Sequence, residues 1–125
     1  MARTVKTPGP DHPITVEPTG ARVVVRAGGR VVADTTAAVT LCEADYPPVY
    51  YLPLDDVAPD ALRPTDSHTY CPYKGEASYY TLVGAAGEAA DAVWTYPSPY
   101  DAVAEIAGHV AFYPQHVDIL VEEAA

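Results

Sequence analysis

The stretch "ARVVVRAGGRVVADT", residues 21–35, decides the fold class of this chain. Two runs rich in valine flank the pair Gly28-Gly29. β-Branched residues favour pleated strands, and adjacent glycines supply the positive φ angles that a tight hairpin turn requires. The stretch therefore predicts two antiparallel strands joined by a two-residue turn.

Further strands are predicted on the C-terminal side of this hairpin. "AVTLCE", residues 38–43, predicts a third strand. "YPPVYYLP", residues 46–53, predicts a short strand at a sheet edge or a bulge, because its prolines lack the N–H that a central strand donates. Next, "HTYC" and "EASYYTLV" flank "PYKG", residues 72–75, which predicts a second hairpin around those turn residues.

One helical segment is predicted, near residues 99–107. In "SPYDAVAEIAG", residues 98–108, Ser98 is a suitable N-cap and Pro99 suits the first helical position. Gly108 is a typical residue after a helix C-terminus. The segment therefore predicts one short helix in a chain otherwise made of strands.

The regular spacing of short strands and Gly/Pro turns predicts a mainly β protein. The expected architecture is a compact, single-domain, antiparallel β-barrel or sandwich. The chain has 125 residues, a length typical of one domain. Residues 1–20 hold four of the thirteen prolines and little periodicity. They predict an extended N-terminal arm, followed by a single β-rich domain over residues 21–125.

Composition excludes several classes of partner. The formal net charge is −10, with only seven Lys and Arg, which argues against binding nucleic acid or an anionic membrane surface. No apolar run approaches the ~20 residues of a membrane span, and "MARTVKTPGPDHP" lacks the apolar core of a secretory signal. We therefore expect a cytoplasmic protein. The sequence leaves the oligomeric state open.

The two cysteines predict neither a disulfide nor a metal site. Cys42 and Cys71 lie far apart in the sequence and form no CxxC motif. A disulfide is uncommon in the cytoplasm, and the ligand spacing of a zinc finger is absent. We expect no metal and no cofactor.

Four motifs in order resemble a known family, the domain of unknown function 427. They are "GGRVVADT", "CEADYPPVYYLPLDDV", "TYCPYKGEASYYTL" and "AVWTYPSPYDAVAEIAGHVAFYP", and the resemblance covers roughly residues 20–122. It implies a small β-rich single-domain fold similar to the β-tent folds, with a pocket lined by shared polar and aromatic residues. It implies no established chemistry. A P-loop and a Gly-Ser motif followed by paired aspartates, both typical of nucleotide chemistry, are absent.

The segment around the second turn holds the candidate catalytic residues. An ammonium close to a thiol favours the thiolate, so Lys74 beside Cys71 makes Cys71 a candidate nucleophile. A desolvated Lys74 is itself a candidate for Schiff-base or anion chemistry, with Glu43 as its acid–base partner. The alternatives are a buried apolar cysteine, a solvated turn lysine and a structural ion pair.

Tyrosines supply the candidate ligand-binding residues. The chain has ten Tyr and one Phe. A tyrosine combines an apolar ring with a polar tip, which suits the wall of a small-molecule pocket. Ordinary core packing is the alternative. The candidate ligand-binding residues are five tyrosines, one tryptophan and one glutamate at the second hairpin: Tyr50, Tyr73, Glu76, Tyr80, Trp94, Tyr96 and Tyr113.

Three functions remain open. The first is a small protein of unassigned role with a tyrosine-rich, small-molecule pocket around the hairpin "CPYKG", residues 71–75. The second is an enzyme that uses Cys71, or Lys74 with Glu43, in a hydrolytic, transfer or isomerisation step. The third is an interaction module that docks the hairpin on a protein partner. The expected partner is a small molecule, not nucleic acid or a membrane.

Overall fold

The computed structural model describes residues 3–123. Residues 1–2 of the expected arm and residues 124–125 of the expected domain lie outside that range. The described chain forms ten strands. In chain order they are β1 (Ile14–Pro18), β2 (Ala21–Ala27), β3 (Arg30–Thr35), β4 (Val39–Glu43), β5 (Val49–Pro53), β6 (Leu62–Cys71), β7 (Gly75–Gly84), β8 (Gly87–Thr95), β9 (His109–Phe112) and β10 (Asp118–Glu123).

The strands form two antiparallel sheets. A seven-stranded sheet has the order β1-β4-β5-β9-β8-β7-β6, and a three-stranded sheet has the order β10-β2-β3. The prediction of a mainly β, antiparallel fold is confirmed. Over residues 3–123 neither sheet closes on itself, because β1 and β6 stay at opposite edges of the larger sheet. The sandwich alternative therefore applies, and the barrel does not.

Both predicted hairpins are present. Gly28 and Gly29 join β2 to β3 with φ angles of 60° and 87°, values that favour glycine. In the second hairpin, the amide of Lys74 donates to the carbonyl of Cys71 at 3.2 Å. Gly75 follows with a φ of 114° and begins β7.

Strand β5 lies inside the larger sheet, between β4 and β9, and not at an edge as its prolines indicated. The reason is where those prolines fall. Pro47 and Pro48 precede the strand, and Pro53 is its last residue. Pro53 is opposite His109 of β9, while the pairing with β4 ends at Tyr51. The missing N–H groups therefore interrupt no central part of the sheet.

The predicted helical segment is present as a kinked 3-10 helix, Asp101–Ile106. It begins after Tyr100 and not at Ser98, and no side chain caps it. Val103 and Ile106 are fully buried, and a spacing of three residues aligns them on one face of a helix with three residues per turn. Further 3-10 turns occur at Leu54–Asp56, Pro59–Ala61 and Pro114–His116. None of the helical segments within residues 3–123 has the length and hydrophobicity needed to cross a membrane.

The expected N-terminal arm contains a strand. Ile14 and Val16 alternate with exposed residues and pack against the core, and β1 pairs with β4 along its whole length. The preceding residues lie against the second hairpin, where the amide of Lys6 donates to the carbonyl of Pro72 at 2.9 Å. The sheet therefore extends upstream of residue 21, and the chain before it crosses the hairpin.

The larger sheet is covered on both faces. One face packs against the three-stranded sheet through a first core cluster that includes Val23, Val25, Val32, Leu52, Val93 and Phe112. The segment Asp101–Ile106 covers the other face through a second core cluster that includes Leu41, Tyr51, Ala77, Tyr96, Val103, Ile106 and Ala111. Because side chains alternate along a strand, the neighbours Tyr51 and Leu52 enter different clusters.

Candidate functional site

A cavity of about 210 Å³ opens on the face of the second core cluster. Strands β4, β5, β7 and β8 supply its walls, with the loop before β5, the second hairpin turn and the start of the loop after β9. Most of its side chains are aromatic or apolar, and two are charged. The lining residues are Leu41, Glu43, Tyr46, Pro47, Val49, Tyr51, Lys74, Tyr79, Trp94, Tyr96 and Tyr113.

A nearly buried ion pair occupies one wall of the cavity. Nζ of Lys74 donates a hydrogen bond to Oε1 of Glu43, and the two side chains are only 11% and 15% exposed. The turn that carries Lys74 is fixed from behind, because the amide of Tyr100 donates to the Lys74 carbonyl at 3.0 Å. A Cβ on Gly75 would lie 3.3 Å from the Ser98 carbonyl oxygen. Glycine therefore lets the turn approach this loop closely.

His12 contacts the second oxygen of the same carboxylate. Its Nε2 lies 2.8 Å from Oε2 of Glu43, and its ring stacks on Tyr73 with centroids 4.1 Å apart. Burial of Glu43 opposes ionisation, but the hydrogen bonds from Lys74 and His12 together outweigh it. The pKa of Glu43 is consequently below its ordinary value. The carboxylate is therefore a stable anion between two partners.

Two buried tyrosines of the cavity, Tyr51 and Tyr96, are held in their neutral form. Burial raises the pKa of Tyr51 to about 12, and the nearby Glu43 charge acts in the same direction. Burial also raises the pKa of Tyr96. Tyr51 accepts a hydrogen bond from Nε1 of Trp94 at 3.2 Å, which leaves its own O–H free to donate. Among residues 3–123 the Tyr96 hydroxyl has no hydrogen-bond partner, yet it is not sealed from solvent.

Two tilted aromatic rings complete the site. The rings of Trp94 and Tyr113 lie with centroids 4.5 Å apart at an angle of 45°. The Trp94 ring also meets Tyr51 edge to face, at 6.2 Å. The indole is therefore fixed by one hydrogen bond and two ring contacts.

Comparison with known families identifies the chain. The family model described as domain of unknown function (DUF427) matches residues 15–123, most of the chain. The chain belongs to this family. The resemblance drawn from the four sequence motifs is thus confirmed. A search among curated proteins finds no match for this DUF427 domain.

Five of the candidate residues meet at the cavity of the DUF427 domain. They come from four separate parts of the chain and are Glu43, Lys74, Trp94, Tyr96 and Tyr113. Cys71 does not line the cavity. It is half-buried and packs against the second core cluster, which places the thiol beside the site and not in it.

The other four candidates lie elsewhere. Tyr80 packs against the first core cluster, as does Tyr50. Glu76 is about half exposed and forms an ion pair with Arg3 at 2.8 Å. Tyr73 stacks on His12 outside the cavity. Strand alternation explains the two core positions, because it directs the adjacent residues Tyr51 and Tyr79 to the cavity instead.

Besides the aliphatic lining residues Leu41, Pro47 and Val49, sequence reasoning missed three tyrosines and one histidine of the site. Tyr51 and Tyr79 carried a usable signal, since strand parity separates each of them from its neighbouring tyrosine. Tyr46 lies in the loop before β5 and lines the mouth of the cavity while 65% exposed. His12 had no signal, because its contact with Glu43 joins residues 31 positions apart.

Proposed function

We propose that this DUF427 domain binds a small, flat, neutral molecule that carries a hydrogen-bond acceptor such as a carbonyl or amide oxygen. The observation that carries the proposal is an aromatic cavity with a paired charge in its wall. Its volume of about 210 Å³ is below the ~300–1,000 Å³ of sites for drug-sized ligands. The part of the ligand that enters is therefore the size of one substituted ring.

The charges of the cavity support a neutral ligand. Lys74 and Glu43 neutralise one another, so a charged ligand would bring an unpaired charge into a largely desolvated site, which is costly. A lysine ammonium has three donors, and Glu43 accepts one of them. Hydroxyl donors of Tyr51 and Tyr96 add to this surplus. The complementary ligand group is an acceptor.

The enclosure of the aromatic rings favours a ligand over a protein partner. Tyr51 is 1% exposed and Tyr96 is 7% exposed. An interaction module would present such rings as an accessible apolar patch. Rings that face a cavity instead offer stacking surfaces to a flat molecule, as Trp94 and Tyr113 do.

Three matched probes test the proposal: benzamide, benzoate and benzylamine, measured by ligand-detected NMR and thermal shift. We expect benzamide to bind more tightly than either charged analogue. Tyr96→Phe should weaken benzamide about fivefold, the effect of one neutral hydrogen bond. Tyr80→Phe removes the same hydroxyl from a residue outside the cavity, and it should change nothing. Equal losses in both variants, or no binding of benzamide, would contradict the proposal.

An enzymatic role is a second candidate, favoured by one observation. Lys74 and Glu43 both face the cavity, as an amine and its acid–base partner must. The amine of Lys74 and an aldehyde would form an imine and release water. Borohydride reduction of protein mixed with benzaldehyde, followed by peptide mass spectrometry, tests this role. Selective labelling of Lys74 over Lys6 would support it, and labelling of Lys6 alone would oppose it.

A further inference from the structure

An apolar groove of about 400 Å³ lies next to the cavity. It runs between β10 of the smaller sheet and the ends of β5 and β9. Its walls are entirely hydrophobic or aromatic, and they include Pro48, Tyr50, Phe112, Pro114, Ile119 and Val121. Unlike the cavity, the groove has no charged lining residue. It is therefore suited to a hydrocarbon group.

The cavity and the groove share two lining residues. Val49 and Trp94 line both. This junction lies next to the end of the pairing between β5 and β9, which are paired only at Leu52↔Val110 and Pro53↔His109. Side chains of both core clusters line the groove there, Tyr50 and Phe112 from the first and Val49 and Trp94 from the second.

We infer that the cavity and the groove hold one elongated, amphipathic molecule, with its polar ring in the cavity and an alkyl or aryl tail in the groove. This inference rests on the proposed function and names its ligand class. The two volumes differ as such a ligand requires. The cavity has hydrogen-bond donors and a neutralised ion pair, whereas the groove is lined by apolar and aromatic side chains. Val49 and Trp94 line both volumes, and the hydrogen bond from Trp94 to Tyr51 holds the indole in place.

A second copy of the chain is a weaker occupant for the groove. Each chain carries a net charge of −10, and like charges oppose self-association. Leu120, at 42% exposed, is the neighbour of Val121 and does not line the groove. Val121 is therefore the exposed residue of β10 at the rim of the groove. The groove is an indentation and not part of a broad apolar face along that strand.

A series of 4-alkylbenzamides, from methyl to octyl, tests the inference by calorimetry on the full chain. Affinity should rise about threefold with each methylene until the groove is filled. Val121→Ser should flatten this rise and leave benzamide itself unaffected. Leu120→Ser is the matched control, because the two residues are 39% and 42% exposed and only Val121 lines the groove. The control should keep the full chain-length dependence.

The outcomes separate this inference from the proposed function. If benzamide binds but affinity is flat along the series, the inference fails and the proposed function stands. If no member binds, both fail. Light scattering at the calorimetry concentrations gives one more outcome: a dimer that Val121→Ser dissociates would assign the groove to a second copy and overturn the inference.

Discussion

The ammonium of Lys74 and the carboxylate of Glu43 meet across 31 positions of sequence, with side chains only 11% and 15% exposed. This contact ties the second hairpin to the end of β4. It also leaves the cavity wall without a net charge, because the positive charge of Lys74 and the negative charge of Glu43 cancel.

Breaking the pair from either side should destabilise the fold. Lys74→Met leaves Glu43 with His12 alone, and Glu43→Gln leaves an ammonium without a counter-charge. Each should lower the free energy of unfolding by about 3 kcal/mol, since a largely buried charge loses its partner. The double variant should lose less than the sum of the two. Urea unfolding followed by the fluorescence of Trp94, the single tryptophan, measures all three.

The matched control for these three variants is a solvent-exposed ion pair. Arg63 and Glu88 form an ion pair with side chains 57% and 50% exposed. Arg63→Met should lower the free energy of unfolding far less than Lys74→Met does, because solvent screens an exposed ion pair. A loss from Arg63→Met as large as that from Lys74→Met would show that burial does not set the strength of the cavity pair.

The stability lent by Glu43 should depend on pH in one direction. Its pKa in the folded chain is below the ordinary 4.5. Its contribution is therefore complete above about pH 4.5 and is lost as the pH falls through the lower, folded value. The difference in urea midpoint between wild type and Glu43→Gln should shrink on acidification in that range. A difference that is constant with pH would refute the assigned direction.

Tyr51 should give the opposite dependence at alkaline pH. Burial, the largest cause, raises its pKa from 10.0 to about 12, so the folded chain keeps a proton that the unfolded chain loses. The free energy of unfolding should fall as the pH rises between those two values. It should fall less steeply for Tyr51→Phe than for wild type. Urea midpoints across that range provide the test. The variant should also alter Trp94 emission, because the indole loses its hydrogen-bond acceptor.

His12 does not line the cavity, but its hydrogen bond to Glu43 should help to lower the pKa of that carboxyl. His12→Ala removes one of the two hydrogen-bond partners of the carboxylate, so the Glu43 pKa should rise and stability should fall by about 1 kcal/mol. Carbon NMR titration of the side-chain carboxyl reports the first effect. His116→Ala, a change at an exposed residue, should leave the Glu43 titration unchanged.

The two glycines of the first hairpin should respond differently to alanine. Both have positive φ angles, which cost a side chain about 1–2 kcal/mol. A Cβ on Gly28 would also lie 2.9 Å from the backbone nitrogen of Ala86, whereas Gly29 has open space around it. Gly28→Ala should therefore lower the melting temperature more than Gly29→Ala. Equal losses would mean that the backbone near Ala86 yields freely.

Local sequence signals predicted both hairpins and most strands after residue 20 with little need for the rest of the chain, but they did not predict β1. The paired glycines and valine runs of residues 21–35 define their hairpin, because turn geometry and strand propensity act over a few residues. "PYKG" defines the second hairpin for the same reason. The kinked 3-10 form of Asp101–Ile106 was not predictable in this way. The backbone at Val103 departs from helical angles, and Val103 and Ile106 pack into the second core cluster, which no local signal indicates.

Sequence alone determined the antiparallel β class, the two hairpins, the family and the idea that Lys74 and Glu43 belong together. Tertiary structure decided which tyrosines share the cavity and added His12 to the site. It left five predicted residues outside the cavity: Cys71, Tyr50, Tyr73, Tyr80 and Glu76. The physical reason is range. A strand propensity or turn angle depends on adjacent residues, whereas a cavity is formed by side chains from four separate strands. Only the order and register of those strands bring them together.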